Sequence, residues 1–120
     1  MFAVHTAYVA VTVLTACLNA AVAVADLVKA RFVLATAEEV GVPRAWLPYL
    51  GALKAAGAAG LLLGLLGIRP LGIAAAVGLV LFFLGALGAH VRARVFHNIA
   101  FPLTFFVLAA ATLTSFAIRE

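Results

Sequence analysis

The fold is decided by residues 47–94, LPYLGALKAAGAAGLLLGLLGIRPLGIAAAVGLVLFFLGALGAHVRAR. Two apolar runs, residues 47–67 and 71–90, are separated only by the short break around Ile68 and Arg69. Each run is long enough to span a membrane, because a helix needs about 20 apolar residues to cross about 30 Å of hydrocarbon. Pro70 suits the first turn of the second helix, where its missing N–H has no helical partner to lose. This stretch therefore predicts two membrane helices joined by a tight antiparallel turn.

Two further apolar runs complete the predicted membrane domain. Residues 3–27 form the first, with a continuation of this helix toward Ala35 left open, and residues 99–118 form the last. The connection of residues 28–46 carries acidic residues, Gly41 and Pro43, which are typical of a loop or an interfacial helix. The sequence thus predicts one all-α domain over residues 1–120. It is an integral membrane four-helix antiparallel bundle with both termini on the same side.

The composition agrees with a membrane location. Of the 120 residues, 68% are hydrophobic and 10% are charged, whereas soluble domains carry about 25% charged residues. Membrane lipid is therefore an expected partner. The net charge of +4 does not indicate nucleic acid, since the cations lie beside apolar runs. The single cysteine, Cys17, excludes an intrachain disulfide and a cysteine-rich metal site.

The distribution of Lys and Arg predicts the orientation. Arg69 and Arg119 lie on the side that holds the chain ends. The opposite side holds more cations, namely Lys29, Arg31, Arg44, Arg92 and Arg94. Because loops rich in Lys and Arg stay in the cytoplasm, we expect both termini to lie outside it.

Small residues recur on one face of the second span. Ala56, Gly60 and Gly64 are four residues apart, which lets helices approach closely in lipid. This face serves either the packing of the monomer or an interface with a second copy or another membrane protein. The sequence leaves these alternatives open.

The few polar residues of the first three spans are predicted to share a pocket at the cytoplasmic end. Asp26 ends the first span, Lys54 lies about 10 Å inside the second, and His90 and Arg92 end the third. Asn19 lies two turns deeper than Asp26 on the same face. Charges inside hydrocarbon usually face the bundle interior and pair with one another, so Asp26 and Lys54 are the expected ion pair.

A purely structural interpretation is equally open. Asp26 would then pair with Lys29 one turn away, Lys54 would extend its ammonium group to the interface, and His90 would cap the third helix. Arg92 would contact lipid phosphates rather than an anionic substrate. His90 and His97 alone do not make a credible metal or haem site, because neither cysteine nor carboxylate accompanies them.

The sequence resembles the DoxX-like family of small bacterial membrane proteins. The resemblance is carried by TACLNAAVAVADLV (residues 15–28), YLGALKAAGAAGLLLGLL (49–66) and GIAAAVGLVLFFLGALGAHVRAR (72–94). The family takes its name from a subunit of a membrane oxidoreductase that passes electrons from thiosulfate to quinone. The resemblance implies a multi-pass protein of the bacterial inner membrane, and it implies the fold more strongly than the reaction.

Three functions remain open at this stage. In the first, the protein is an oxidoreductase component or enzyme that handles a lipophilic, quinone-like molecule. Lys54 and His90 then donate hydrogen bonds or protons to a carbonyl, Asp26 holds Lys54, and Asn19 and Arg92 contact the substrate. In the second, the protein is a transporter, which requires a dimer because four helices are few for a carrier. In the third, it is a structural or accessory subunit that docks another membrane protein.

Overall fold

The computed structural model describes residues 2–118 of the chain. In this range five α-helices follow one another, and no strand is present. Their bounds are α1 Phe2–Leu27, α2 Arg31–Val40, α3 Leu47–Leu65, α4 Arg69–Ala93 and α5 Ala100–Ile118. A 3-10 turn, Arg44–Trp46, leads into α3. All of these helices except α2 are long and apolar enough to cross a membrane, which confirms the predicted fold class.

The four long helices form a ring in chain order. α1 packs on α3, α3 on α4, α4 on α5, and α5 returns to α1. Sequential neighbours in such a ring run antiparallel, so both chain ends lie at the same end of the bundle. The longest dimension of the molecule is 44 Å, close to the thickness of about 40–45 Å of a bilayer with its headgroups. Arg119, one of the cations counted for the orientation, lies outside the described residues.

Residues in the left-handed backbone conformation end two of the long helices, and one of these ends differs from the prediction. α1 ends at Leu27, the predicted end of the first span, and the continuation toward Ala35 that the sequence left open is absent, because Lys29 adopts a left-handed backbone conformation with φ of 54°. α4 extends past His90 to Ala93, where Arg94 turns the chain with φ of 59°. The predicted turn between α3 and α4 is present, with Gly67 at φ of 132°.

Two glycines of the small-residue face of α3 pack inside the monomer. A Cβ atom added at Gly60 would lie 2.6 Å from the Cβ of Ala75 on α4, closer than real Cβ atoms approach other atoms. A Cβ atom at Gly64 of α3 would meet the backbone of Gly72 on α4 and would lie 3.0 Å from the ring of Phe116 on α5. The question left open by the sequence is thereby answered for Gly60 and Gly64, which pack inside the monomer, whereas Ala56 is exposed.

The short helix α2 closes one end of the bundle. Its buried residues Val33, Ala37 and Val40 follow helical spacing, and Val33 and Ala37 pack with Leu47 of α3. Beyond α4, the ring of His97 donates to the Glu39 carboxylate at 3.0 Å. α2 thus lies where the sequence predicted a loop or an interfacial helix, and it forms part of the candidate site.

Candidate functional site: a cavity at one end of the bundle

A buried ion pair joins α1 to α3. The Nζ atom of Lys54 donates to Oδ2 of Asp26 at 2.8 Å, and the two residues are only 8% and 2% exposed. The predicted partner of Asp26 is therefore confirmed as Lys54. Lys29, the alternative partner, is exposed and follows the end of α1.

Local sequence explains how the two charged groups meet. Gly51 lies one turn before Lys54, and a Cβ atom there would lie 3.0 Å from the Cβ of Asp26. The glycine therefore lets α1 and α3 approach closely beside the pair. The ammonium group of Lys54 also lies 5.1 Å from the ring centroid of Phe82 and 6.0 Å from that of Phe83. Such aromatic faces attract a cation that has left water.

His90 presents one ring nitrogen without a protein partner. The residue is 5% exposed, and its Nδ1 lies 2.9 Å from the carbonyl oxygen of Ala86. Since a carbonyl only accepts hydrogen bonds, Nδ1 carries a proton and donates it. Nε2 is buried and has no hydrogen-bond partner among residues 2–118. In the neutral ring Nε2 is an acceptor, and it becomes a donor only when the ring is protonated.

These groups line a cavity of about 800 Å³. Its wall is built by the end of α1, by α2, α3 and α4, and by the start of α5. The wall is mostly apolar. Its polar side chains include Asp26, Lys54, His90, Arg92, Thr36 and Asn98, and its aromatic side chains are Phe32, Trp46, Phe82, Phe83 and Phe101.

The structure thus brings together most, but not all, of the residues predicted for the site. Asp26, Lys54 and His90 share the cavity, and Arg92 lines it while remaining exposed. Asn19 is not among the lining residues: it is fully buried deeper in the bundle, and its Nδ2 donates to the carbonyl oxygen of Thr15 at 2.9 Å. The chemical roles of all five residues stay predictions.

The profile of the DoxX-like family matches residues 10–112, most of the chain. The chain belongs to the DoxX-like family. No curated protein and no solved structure matches it. With its four candidate membrane helices, this DoxX-like protein is a multi-pass membrane protein.

Sequence reasoning missed the part of the cavity wall that lies outside the long helices. Asn98 precedes α5 and donates to Thr36 of α2 at 3.4 Å, and its Oδ1 is buried without a partner in the described part of the chain. Trp46 and Phe32 flank the same cavity. The spacing of Val33, Ala37 and Val40 was the available signal, because it shows that α2 has an apolar face to bury.

In the cavity of this DoxX-like protein, Lys54 offers a strong hydrogen-bond donor and His90 offers an acceptor. The ammonium group of Lys54 has three protons, of which Asp26 uses one in the structure. Nε2 of the neutral His90 ring accepts. The arrangement therefore suits an apolar molecule that carries oxygen atoms able to accept from Lys54 and donate to His90.

Proposed function

We propose that this DoxX-like protein binds a lipophilic quinone or its quinol in the cavity and acts as a component of a membrane oxidoreductase. The observation that carries the proposal is the unpartnered Nε2 of His90 in the wall of the cavity. Buried polar atoms almost always have a partner, so this nitrogen calls for one that the chain itself does not supply.

The size and lining of the cavity support a ring with an alkyl tail. Its volume of about 800 Å³ falls within the range of about 300–1,000 Å³ typical of small-molecule sites. Phe82 and Phe101 offer aromatic faces to a planar ring. An apolar tail would extend along the exposed Leu53 and Leu81, which also belong to the wall.

The polar groups are placed to favour the quinol. A quinol hydroxyl donates to the neutral His90, and Lys54 donates to an oxygen of the same molecule. When a quinol is oxidised, its hydroxyl protons and an electron pair leave it. His90 would accept the proton of the hydroxyl that it binds, the proton of the second hydroxyl would leave to water, and the electron pair would pass to a redox partner in the membrane. Asp26 acts as a positioning residue because it holds the ammonium group of Lys54.

The charge distribution supports a cytoplasmic location for the mouth of the cavity. Arg92 lines the cavity, and most of the other Lys and Arg residues lie in the connections at the same end. Since loops rich in Lys and Arg stay in the cytoplasm, the protein would lie in the bacterial inner membrane with both termini outside the cytoplasm.

Trp46 provides a direct test of ligand binding. It is the only tryptophan of the chain and it lines the cavity, so a quinone ring that binds there should quench its fluorescence. The protein in nanodiscs would be titrated with a short-tailed benzoquinol and with the corresponding quinone. We expect saturable quenching, which His90→Leu weakens about tenfold for the quinol, equivalent to the loss of one buried hydrogen bond.

The matched control is His97→Leu, because His97 is exposed and does not line the cavity. This control should bind the quinol as the native protein does. Quenching that rises linearly without saturation, or that is equal in His90→Leu and the native protein, would contradict the proposal. If the protein has a purely accessory role, His90→Leu and the native protein should give equal quenching.

A further inference from the structure

A row of buried polar side chains runs along one face of α1 through the middle of the bundle. Thr12, Thr15 and Asn19 are each 0% exposed, and their spacing of three and four residues places them on the same side of the helix. Thr112 of α5, also 0% exposed, faces the row. We call these four residues the polar row.

Hydrogen bonds link only part of the polar row. The hydroxyls of Thr15 and Thr112 lie 3.0 Å apart, and Asn19 donates to the backbone of Thr15 at 2.9 Å. In contrast, Oγ1 of Thr12 and Oδ1 of Asn19 are buried without a partner in the part of the chain that the structure describes. Unpaired polar atoms are costly inside a membrane, and buried water usually satisfies such groups.

The polar row spans the distance between two cavities. The cavity of the candidate site reaches Val22, one turn from Asn19. A second cavity of about 360 Å³ at the opposite end reaches Val9, one turn from Thr12. Between Val9 and Val22 the helix rises about 20 Å, and the polar row lies within this interval.

The second cavity has polar side chains in its wall. His5, Tyr8 and Arg69 line it, and the guanidinium group of Arg69 donates to the carbonyl oxygen of Phe116 at 2.9 Å. From Tyr8 to Asp26 the helix rises about 27 Å, close to the hydrocarbon thickness of about 30 Å. Polar groups thus accompany α1 from one face of the membrane to the other.

We infer that the polar row, bridged by water, is a path that carries protons between the second cavity and the cavity of the candidate site. Each hydroxyl or water donates a proton to the next acceptor and receives one from the preceding donor. One proton enters at one end for each proton that leaves at the other, and no other bond changes. The amide of Asn19 orients water rather than passing the proton itself. Proton relays in membrane proteins commonly use buried Asp, Glu and His; in this row, hydroxyl groups and water would take their place.

The inference does not depend on the identity of the ligand in the cavity, and proton flux tests it directly. The protein would be placed in vesicles that contain a pH-sensitive dye, with a potassium gradient and valinomycin to set the membrane potential. We expect the native protein to move protons faster than protein-free vesicles. Thr12→Val and Asn19→Leu should reduce the flux to the protein-free rate, and Thr12→Ser should retain it.

Two threonines of α5 provide matched controls. Thr104 and Thr114 are exposed, and each hydroxyl bonds to a carbonyl of its own helix. Thr104→Val and Thr114→Val should therefore conduct as the native protein does. Circular dichroism and size-exclusion chromatography verify that each variant is folded, and Thr112→Val replaces any row variant that is not.

Three results would overturn the inference. The first is a native flux equal to that of protein-free vesicles. The second is a native-like flux in folded Thr12→Val and Asn19→Leu. The third is an equal loss in the control variants, which would assign the flux to a general leak. Quinol binding measured through Trp46 is a separate readout, so failure of this inference leaves the proposed function intact, and the reverse holds too.

Discussion

Lys54 donates to Asp26 across a distance of 2.8 Å inside the helical bundle, so the last turn of α1 is tied to α3 by an ion pair that water hardly reaches. The pair closes one side of the cavity in which His90 presents its free nitrogen. The cavity extends past the pair to Val22, one turn from Asn19 of the polar row.

Breaking this pair should destabilise the protein. Lys54→Met or Asp26→Leu alone leaves one buried charge without its partner, which lowers the free energy of unfolding by about 3–5 kcal/mol in comparable cases. The double variant removes both charges, so its free energy of unfolding should fall by much less than the sum of the decreases in the two single variants. Reversible unfolding of the four proteins in detergent measures this coupling as a double-mutant cycle. Additive losses would show that the two groups do not stabilise each other.

Filling the cavity should block the ligand without disturbing the fold. Gly85 lines the cavity, and a Cβ atom there would meet nothing within 4 Å. Gly85→Leu should therefore place a side chain in the cavity and abolish saturable quenching of Trp46 by the quinol. Gly78→Leu is the control, because Gly78 also has open space but lies outside the cavity wall. Equal binding by both variants would place the ligand elsewhere.

The close contact of α3 with α4 predicts a different effect at Gly60. Gly60→Ala forces a methyl group against Ala75, and overpacking of this kind costs about 1–3 kcal/mol. Gly78→Ala meets no neighbour and should keep or slightly raise the stability. The melting temperatures of the two variants, measured side by side, test this difference in stability. A Gly60→Ala variant as stable as the native protein would mean that the helices separate here without loss.

The hydrogen bond from His90 to Ala86 predicts a preference between the two redox forms. With Nδ1 donating, the neutral ring offers Nε2 as an acceptor, which a quinol hydroxyl satisfies and a quinone carbonyl does not. His90→Leu should therefore weaken quinol binding more than quinone binding. Separate titrations under reducing and oxidising conditions measure the difference. An equal loss of affinity for quinol and quinone would show that His90 only shapes the cavity and does not accept a hydrogen bond from the ligand.

The orientation is testable with single cysteines in a Cys17→Ala background. Ile68 in the turn between α3 and α4 and Glu38 of α2 are both exposed, at opposite ends of the bundle. On intact bacterial cells, a membrane-impermeant maleimide should label Ile68→Cys, whereas Glu38→Cys should react only after lysis. The reverse labelling pattern would show that the termini face the cytoplasm.

The sequence predicted the features that depend on composition and local spacing. Apolar runs of sufficient length located the four long helices, and Pro70 with Gly67 located the turn between α3 and α4. The scarcity of charge in the first three spans indicated that Asp26 would pair with Lys54, because lipid makes isolated charges costly. Each of these inferences uses only neighbours in the chain or the general cost of burying a charge.

The remaining features depend on contacts between distant segments. The left-handed conformation of Lys29 ends α1, and helical periodicity alone does not reveal it. Thr112 bonds to its own helix, as any helical threonine can, and only the fold shows that it also meets Thr15. Asn19 was expected at the pocket because it shares a face with Asp26, yet the cavity ends one turn before it. The spacing of residues along a helix determines which side of the helix they share, but it does not determine how far a cavity extends along that side.

The central claim is that a quinone or quinol lies against His90, and photolabelling tests it most directly. A short-tailed azidoquinone would be cross-linked to the protein in nanodiscs, and the labelled residues would be identified by mass spectrometry. We predict labels on His90, Trp46 and Phe32 that excess quinol or the Gly85→Leu substitution suppresses. Labels confined to lipid-facing residues such as Leu84 and Val107, unaffected by competition, would contradict the account.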